Sequence, residues 1–148
     1  MSKLFIYYSL TGNGDFVADF LEKKGFDLRK VTEKSKAPKS FFLRVFVGGF
    51  RASLNLKGKL VDYNSNIDDY DEIVVGTPVW NGKFPPAINS VLAQTDFKDK
   101  KLPFIFYSGS GDVPAINDKL VAMYPNAIVR YLKEPKSHEQ ELDKLDNI

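Results

Sequence analysis

The sequence predicts an α/β domain built on a doubly wound parallel sheet. Five short, largely apolar stretches recur along the chain, as expected for strands buried on both faces of such a sheet. Helical patterns and polar connectors separate these stretches, which favours right-handed crossover connections. The length of 148 residues suits one domain spanning residues 1–148. The predicted strands are residues 3–8, 27–33, 72–76, 102–107 and 127–132.

The first two strands flank a clear helical pattern. Residues 3–8 are almost continuously apolar, which indicates a central strand. Residues 15–24 predict a helix that stops at Gly25. Residues 27–33 alternate apolar and charged side chains, which predicts an edge strand. The apolar stripe of the helix consists of Phe16, Val17, Phe20 and Leu21.

The region before the third strand is less regular. Residues 40–55 carry aromatic side chains at near-helical spacing, interrupted by Gly48 and Gly49. We expect a helix packed on the sheet; the alternative is an aromatic patch for a partner or substrate, because paired glycines weaken a helix. Residues 60–67 are expected to be irregular. The carboxylates of residues 68–71 indicate a solvated turn rather than a magnesium site, because no further ligands lie nearby in the sequence.

The second half of the chain adds three predicted helices, at residues 87–93, 117–124 and 137–148. The last is expected to be amphipathic, with Leu142 and Leu145 facing the core. Tyr107 ends the fourth strand and is expected in the core rather than as a lid over a site.

Composition removes several classes of chemistry. The absence of cysteine excludes disulfides, thiol catalysis and thiolate metal sites. His138 is the only histidine, so a histidine metal site or a Ser-His-Asp triad has almost no material, and we expect His138 to be solvated. Without a bilayer-length apolar run or a signal-peptide pattern, we expect a cytoplasmic protein with no membrane partner. Any chemistry is expected to come from a cofactor.

Charge is unevenly distributed, although the net charge is only +2. Residues 23–59 hold eleven Lys and Arg side chains against two acidic ones. Such a segment could suit nucleic acid or an acidic protein partner. It lacks the regularly interleaved aromatic residues of a single-strand binding platform. We therefore favour a solvated edge and predict no nucleic-acid partner.

A polar turn between the first strand and the first helix is the first candidate site. A helix start leaves N–H groups without partners, and its dipole favours negative charge. The turn is not a dinucleotide fingerprint, because Val17 stands where the third glycine would be, and no Walker sequence occurs. The prediction is a phosphate-binding turn; the alternative is a glycine-rich turn that binds nothing. Its residues are Ser9, Leu10, Thr11, Gly12, Asn13 and Gly14.

This turn resembles the phosphate loop of the flavodoxin-like FMN-binding proteins. In that family, a [Ser/Thr]-x-Thr-Gly-Asn-Thr turn wraps the FMN phosphate without any basic side chain. The present sequence matches from Ser9 to Asn13 and departs at Gly14, where the family has Thr. The resemblance implies FMN as cofactor and a flavodoxin-like three-layer sandwich whose five-stranded parallel sheet has the order 2-1-3-4-5.

A second turn strengthens the resemblance. Flavodoxin-like quinone reductases and related FMN proteins carry a Pro-[Val/Ile]-[Tyr/Trp]-x-Gly-x-x-Pro-Pro-Ala turn, and residues 78–87 match it. Trp80 can stack on the isoalloxazine with a gain of about 1 kcal/mol, unless it is a core anchor. The Asn81-Gly82 peptide can face flavin N5 and reorient. The predicted cofactor-binding residues here are Thr77, Pro78, Val79, Trp80, Asn81 and Gly82.

The third predicted loop follows the fourth strand. Its glycines permit close backbone contact, and its backbone donors could stabilise negative charge beside flavin N1 and O2. Because the three loops follow strands 1, 3 and 4, the predicted strand order brings them to one edge of the sheet. The residues of this loop are Ser108, Gly109, Ser110, Gly111 and Asp112.

The resemblance implies an FMN-binding redox protein with no catalytic side chain and no metal. Three functions stay open: an enzyme that transfers electrons or hydride from NAD(P)H to a quinone-like acceptor, an electron carrier that docks to a redox partner protein, and an FMN-free binding module. The isoelectric point of about 8.6 favours the enzyme over the typically acidic carriers. Receiver domains and low-molecular-weight phosphatases share the fold, but the acidic residues or cysteine that they need are absent at the corresponding positions.

Overall fold

The structure is a computed structural model that describes residues 1–34, 57–80, 82–97, 100–111 and 114–148. Its five strands form one parallel sheet in the order β2-β1-β3-β4-β5, which confirms the predicted fold class and strand order. The helix predicted for residues 40–55 lies outside the described residues, as does most of the basic segment. The strands are β1 (Lys3–Tyr7), β2 (Phe26–Lys30), β3 (Glu72–Pro78), β4 (Pro103–Ser108) and β5 (Ile128–Lys133).

Helices cover both faces of the sheet in the described part of the chain. They are α1 (Asn13–Lys23), α2 (Pro86–Gln94), α3 (Pro114–Met123) and a C-terminal 3₁₀-helix (Glu139–Leu145). Helix α1 and the 3₁₀-helix share one apolar cluster with the sheet, through Val17, Leu21, Leu142 and Leu145. Helices α2 and α3 share a second cluster on the opposite face, through Ile88, Val91, Ile116 and Leu120. This arrangement is the three-layer sandwich that the sequence predicts.

The C-terminal helix differs from the prediction in type. The sequence predicts an amphipathic helix over residues 137–148, whereas the structure has a seven-residue 3₁₀-helix. Leu142 and Leu145 are buried as predicted, with exposures of 7 % and 0 %. Side chains three residues apart eclipse one another in a 3₁₀-helix, so this spacing places both leucines on one face.

The predicted edge strand at residues 27–33 is also shorter in the structure. Strand β2 ends at Lys30, although the Val31 N–H still donates to the Tyr7 carbonyl at 2.7 Å. The chain then turns away, and Glu33 forms an isolated antiparallel bridge with Leu60. Residues 60–67 are otherwise irregular, as predicted.

Strand register sets where the loops begin. Tyr7 of β1 is opposite Gly76 of β3, and Pro78 of β3 is opposite Tyr107 of β4. Three neighbouring strands therefore end side by side, and each is followed by one of the predicted loops. Within the described residues, no helix is both long and apolar enough to cross a membrane.

Candidate functional site

The first loop is closed by the hydroxyl of Ser9. Ser9 Oγ accepts the N–H of Gly12 at 3.2 Å and the N–H of Gly14 at 3.1 Å. Gly12 precedes α1 with a φ of +94°, a conformation that favours glycine. Of the four N–H groups that a helix start leaves without intrahelical partners, Ser9 engages two. The N–H groups of Asn13 and Asp15 have no hydrogen-bond partner among the described residues, and the Ser9 hydroxyl can still donate its own proton.

Gly14 lies against Tyr107 of β4, which fills the space that a side chain at position 14 would need. A Cβ added to Gly14 would lie 2.5 Å from Tyr107 Oη and 2.7 Å from Ser9 Cβ. Tyr107 is buried, and its hydroxyl donates to the Tyr8 carbonyl directly below the loop. Burial, followed by the charges of nearby groups, raises the pKa of Tyr107 well above its ordinary value, so this hydroxyl keeps its proton. The glycine therefore makes room for Tyr107, and the core position predicted for Tyr107 is confirmed.

The first turn of α1 carries a carboxylate, Asp15, that is paired with a lysine. Asp15 Oδ1 accepts a hydrogen bond from Lys30 Nζ at 2.7 Å and another from the Tyr7 hydroxyl at 3.3 Å. Burial and the Asp15 charge raise the pKa of Tyr7 to about 12. Because Lys30 offsets the charge of Asp15, this carboxylate repels an anion at the helix start less than an unpaired one would.

The second loop is a tight turn. The N–H groups and carbonyls of Trp80 and Lys83 bond reciprocally at 2.9 Å, and Gly82 has a φ of +67°. Trp80 is half-buried and lies outside both core clusters, so it is not a core anchor. Thr77 is buried at the end of β3, with Pro78 and Val79 half-buried after it. Asn81 lies outside the described residues.

Lysines flank the second loop. Lys119 of α3 lies over the ring of Phe84, with its Nζ 5.5 Å from the ring centroid. Burial, and then the charge of Lys83, lowers the pKa of Lys119. Two lysines, Lys83 and Lys119, thus lie close enough to interact on this side of the loop.

The third loop is held by its own serine. Ser108 Oγ accepts the Gly111 N–H and donates to the Gly111 carbonyl, both at 3.0 Å. Gly111 has a φ of +85°, and no atom of the described residues lies within 4 Å of a Cβ added to Gly109. Gly109 and Ser110 are exposed, whereas Asp112 lies outside the described residues.

Direct contacts join the first two loops to each other and to β4, the strand that leads into the third loop. The Tyr8 ring, at the start of the first loop, meets the Trp80 ring edge-on, with centroids 5.9 Å apart. Tyr107 connects β4 to the first loop through its hydroxyl. The Ser108 carbonyl accepts the Glu134 N–H at 3.1 Å, which ties the third loop to the segment after β5. The predicted residues that the structure describes thus lie along one edge of the sheet.

Sequence reasoning missed three side chains beside these loops: Tyr8, Lys30 and Lys136. Tyr8 directly precedes the polar turn, and its position at the end of an apolar run was an available signal. Lys136 follows β5, far from the first loop in sequence, and no motif marks it. Among the described residues, no group of three or more carboxylates or histidines could hold a metal ion. The carboxylates of Asp68, Asp69 and Asp71 are exposed, as predicted for a solvated turn.

Comparison with solved structures places the whole chain in one architecture. A protein from Bacteroides eggerthii, assigned as a flavoprotein, is 23% identical and superposes with a TM-score of 0.72, covering 96% of each chain. A flavoprotein from Lactobacillus acidophilus in complex with FMN is 18% identical, with a TM-score of 0.68 over 94% of this chain and 97% of that one. At these identities the likeness shows the fold. No curated protein matches the sequence significantly.

A family model gives the assignment that structural similarity alone does not. The model described as flavodoxin matches residues 3–145, which is nearly the whole chain and includes all three loops. The chain belongs to the flavodoxin family.

Proposed function

We propose that this flavodoxin binds FMN at the three-loop edge and passes electrons or hydride between a reductant and a small acceptor such as a quinone. Family membership and the FMN-bound Lactobacillus relative support FMN as the cofactor. The observation that carries the proposal is the convergence of three loops, joined by the Tyr8–Trp80 and Tyr107–Tyr8 contacts, at one end of the sheet. FMN, when bound, supplies the redox chemistry.

The first loop suits the phosphate group. The N–H groups of Asn13 and Asp15 point out of the helix start, where the helix dipole favours a dianion. Ser9 adds a hydroxyl donor beside them while it holds the loop closed. The side of the loop at Gly14 faces Tyr107 instead of bearing a threonine hydroxyl, so the phosphate would be held mainly by backbone donors.

The second loop suits the ring system. The half-buried Trp80 indole is braced edge-on by Tyr8 and can stack on one face of the isoalloxazine. The Asn81-Gly82 peptide would present its polar atoms to flavin N5. Gly82 has a positive φ, and as a glycine it can change its backbone conformation more freely than other residues, which would let this peptide reorient. Thr77, Pro78 and Val79 would line the approach from β3.

The third loop would border the pyrimidine edge of the ring. The hydrogen bonds between Ser108 and Gly111 hold the loop in place and leave space for a ligand beside Gly109. Backbone N–H donors there would stabilise negative charge at N1 and O2. Ser110, which is exposed, would lie at the outer rim.

The charge of the second loop favours an anionic small-molecule reductant. Lys83 and Lys119 place positive charge beside the proposed N5 position. NAD(P)H carries phosphates that such a rim would attract, whereas a basic partner protein would be repelled. This observation favours the NAD(P)H-linked enzyme over the electron carrier.

Titration with FMN tests the cofactor assignment. Because Trp80 is the only tryptophan, its fluorescence reports on the second loop alone. We expect stoichiometric binding that quenches this fluorescence and leaves a flavin absorbance with the purified protein. Unchanged fluorescence and no retained flavin would contradict FMN binding and favour an FMN-free binding module.

Anaerobic mixing of the FMN-loaded protein with NADH and with NADPH separates the two redox functions. For the enzyme we expect rapid bleaching of the flavin absorbance with at least one nicotinamide, followed by recovery when a quinone is added. A flavin that dithionite bleaches but neither nicotinamide does would identify the electron carrier instead.

A further inference from the structure

A lysine from the far end of the chain lies over the first loop. Lys136 belongs to the turn after β5, and its side chain crosses Gly12, the residue that precedes α1. A Cβ added to Gly12 would lie 3.1 Å from Lys136 Nζ and 3.4 Å from its Cδ. The absence of a side chain at Gly12 therefore admits the aliphatic stem of Lys136 and brings its ammonium group to the helix start.

Backbone contacts fix this turn against the loop. The Lys136 N–H donates to Asn13 Oδ1 at 3.1 Å, and Asn13 Nδ2 donates to Thr11 Oγ1 at 3.3 Å. On its other side, the turn is tied to the third loop by the Glu134–Ser108 hydrogen bond. The placement of Lys136 is thus set by the main chain and by Asn13, and no carboxylate among the described residues pairs with its side chain.

The charge of Lys136 is placed against the helix dipole. Cations stabilise the C-terminal end of a helix, whereas an ammonium group at the N-terminal end faces partial positive charge. Lys3, Lys24, Lys30 and Lys144 each pair with a carboxylate elsewhere in the described part of the chain. The nearby carboxylate of Asp15 is engaged by Lys30. An anion bound between Lys136 and the first turn of α1 would be attracted both by the ammonium group and by the positive end of the helix dipole.

We propose that Lys136 binds the phosphate of FMN and makes this site select FMN over riboflavin. The inference rests on the proposed function, because it assigns a residue to the same site. It departs from the family loop that the first turn resembles, in which no basic side chain contacts the phosphate. Lys136 adds a charged donor beside Gly12, in a loop whose Gly14 lacks the threonine hydroxyl of the family motif.

The test compares two lysine variants for flavin affinity. Lys136→Met removes the charge and keeps the stem, while Lys23→Met removes the same charge from an exposed site at the other end of α1, about 15 Å away. We expect Lys136→Met to bind FMN about 3- to 5-fold more weakly, since Lys136 is solvent-exposed and its ion pair with the phosphate would be partly screened. Riboflavin affinity is expected to change less than about 2-fold, because riboflavin lacks the phosphate.

Salt dependence provides a second readout that does not need riboflavin binding. Added salt is expected to weaken FMN binding to the unmodified protein and to Lys23→Met more steeply than to Lys136→Met, because one phosphate contact has been removed. Lys136→Arg is expected to keep the FMN affinity within about 2-fold, since it retains the charge. Each apoprotein is first compared by urea unfolding to show that it folds. We expect Lys136→Met to be at least as stable as the unmodified protein and Lys23→Met to be slightly less stable, because Lys136 lies at the N-terminal end of α1 and Lys23 in its last turn.

The outcomes distinguish the two proposals. If the unmodified protein binds FMN and Lys136→Met keeps the same affinity and salt dependence, the role of Lys136 is wrong and the proposed function stands. If Lys136→Met lowers the affinities for FMN and for riboflavin by the same factor, Lys136 acts on the structure of the loop, which also overturns the inference. If the unmodified protein binds no FMN, the proposed function fails and this inference fails with it.

Discussion

Gly14 lies where the first loop packs against the core of the protein. The loop resembles one that ends in threonine, yet Tyr107 Oη occupies the space that a Cβ at this position would need. Tyr107 in turn donates to the Tyr8 carbonyl and keeps its proton because it is buried. The departure from the family motif is therefore a packing requirement.

The first prediction tests this packing. Gly14→Ala is expected to lower the free energy of unfolding by about 1–2 kcal/mol, because overpacking costs about 1–3 kcal/mol and the better helix propensity of alanine returns about 0.5–1 kcal/mol. Urea unfolding measures the change. Gly109→Ala is the matched control, since its Cβ would enter open space, and it should stay within about 0.5 kcal/mol.

A double variant identifies the neighbour responsible. Adding Tyr107→Phe to Gly14→Ala removes the hydroxyl nearest to the new Cβ, so the two changes should be non-additive by about 0.5–1 kcal/mol in the favourable direction. Strict additivity of the two unfolding free energies would contradict the proposed steric conflict.

At the level of elements, the C-terminal 3₁₀-helix is short but contributes to the hydrophobic core. It spans seven residues and buries Leu142 and Leu145 in the cluster shared with α1. It also follows the turn that carries Lys136. Burial of two leucines on one edge thus anchors the segment that lies beside the first loop.

The second prediction concerns this element. Leu145→Ala is expected to lower the free energy of unfolding by about 2–4 kcal/mol, because Leu145 is fully buried and its removal leaves a cavity. The exposed neighbour substitution Asp143→Ala should change it by less than about 0.5 kcal/mol. Equal effects of the two substitutions in urea unfolding would show that the helix does not pack as described.

The type of this helix could not be read from the sequence. Leucines three residues apart fit one face of either an α-helix or a 3₁₀-helix, so the pattern alone does not decide between them. Strand β2 illustrates a related limit. The alternation of residues 27–33 suggests a longer strand, but the turn that pairs Glu33 with Leu60 depends on a segment distant in sequence.

Across the whole molecule, the parallel sheet was predictable, because long apolar runs signal buried strands and crossovers have one preferred hand. Its order, 2-1-3-4-5, was implied by the resemblance to the flavodoxin-like proteins. The positions of the three loops followed from that order. Contacts between distant side chains could not be predicted. Neither Gly14 against Tyr107 nor Lys136 over Gly12 leaves a local signal, since each depends on packing across more than ninety residues. The roles assigned to individual loop residues stay predictions.

The third prediction follows from tyrosines held neutral inside the fold. The pKa of Tyr7 is about 12 in the folded state against 10.0 for an ordinary tyrosine. Below pH 10 both states keep the proton; between pH 10 and about 12 the unfolded chain loses it while the folded chain does not. The free energy of unfolding should therefore fall as the pH rises through this window, with Tyr7 contributing about 1.4 kcal/mol per pH unit.

Comparison with Tyr7→Phe isolates this contribution. The variant lacks the ionisable hydroxyl, so its unfolding free energy should fall less steeply between pH 10 and 12 and show the same dependence near pH 8. Urea unfolding at fixed pH values measures both slopes. Identical slopes in this alkaline window would show that Tyr7 does not hold its proton as described.

The fit between Gly14 and Tyr107 also has an evolutionary consequence. Neither position can change freely while the other is retained, because a threonine at the first requires the space filled by the hydroxyl of the second. Among homologues we therefore expect the two positions to covary: lineages with threonine in the loop should carry a shorter side chain at the end of the fourth strand, and lineages that keep the tyrosine should keep the glycine.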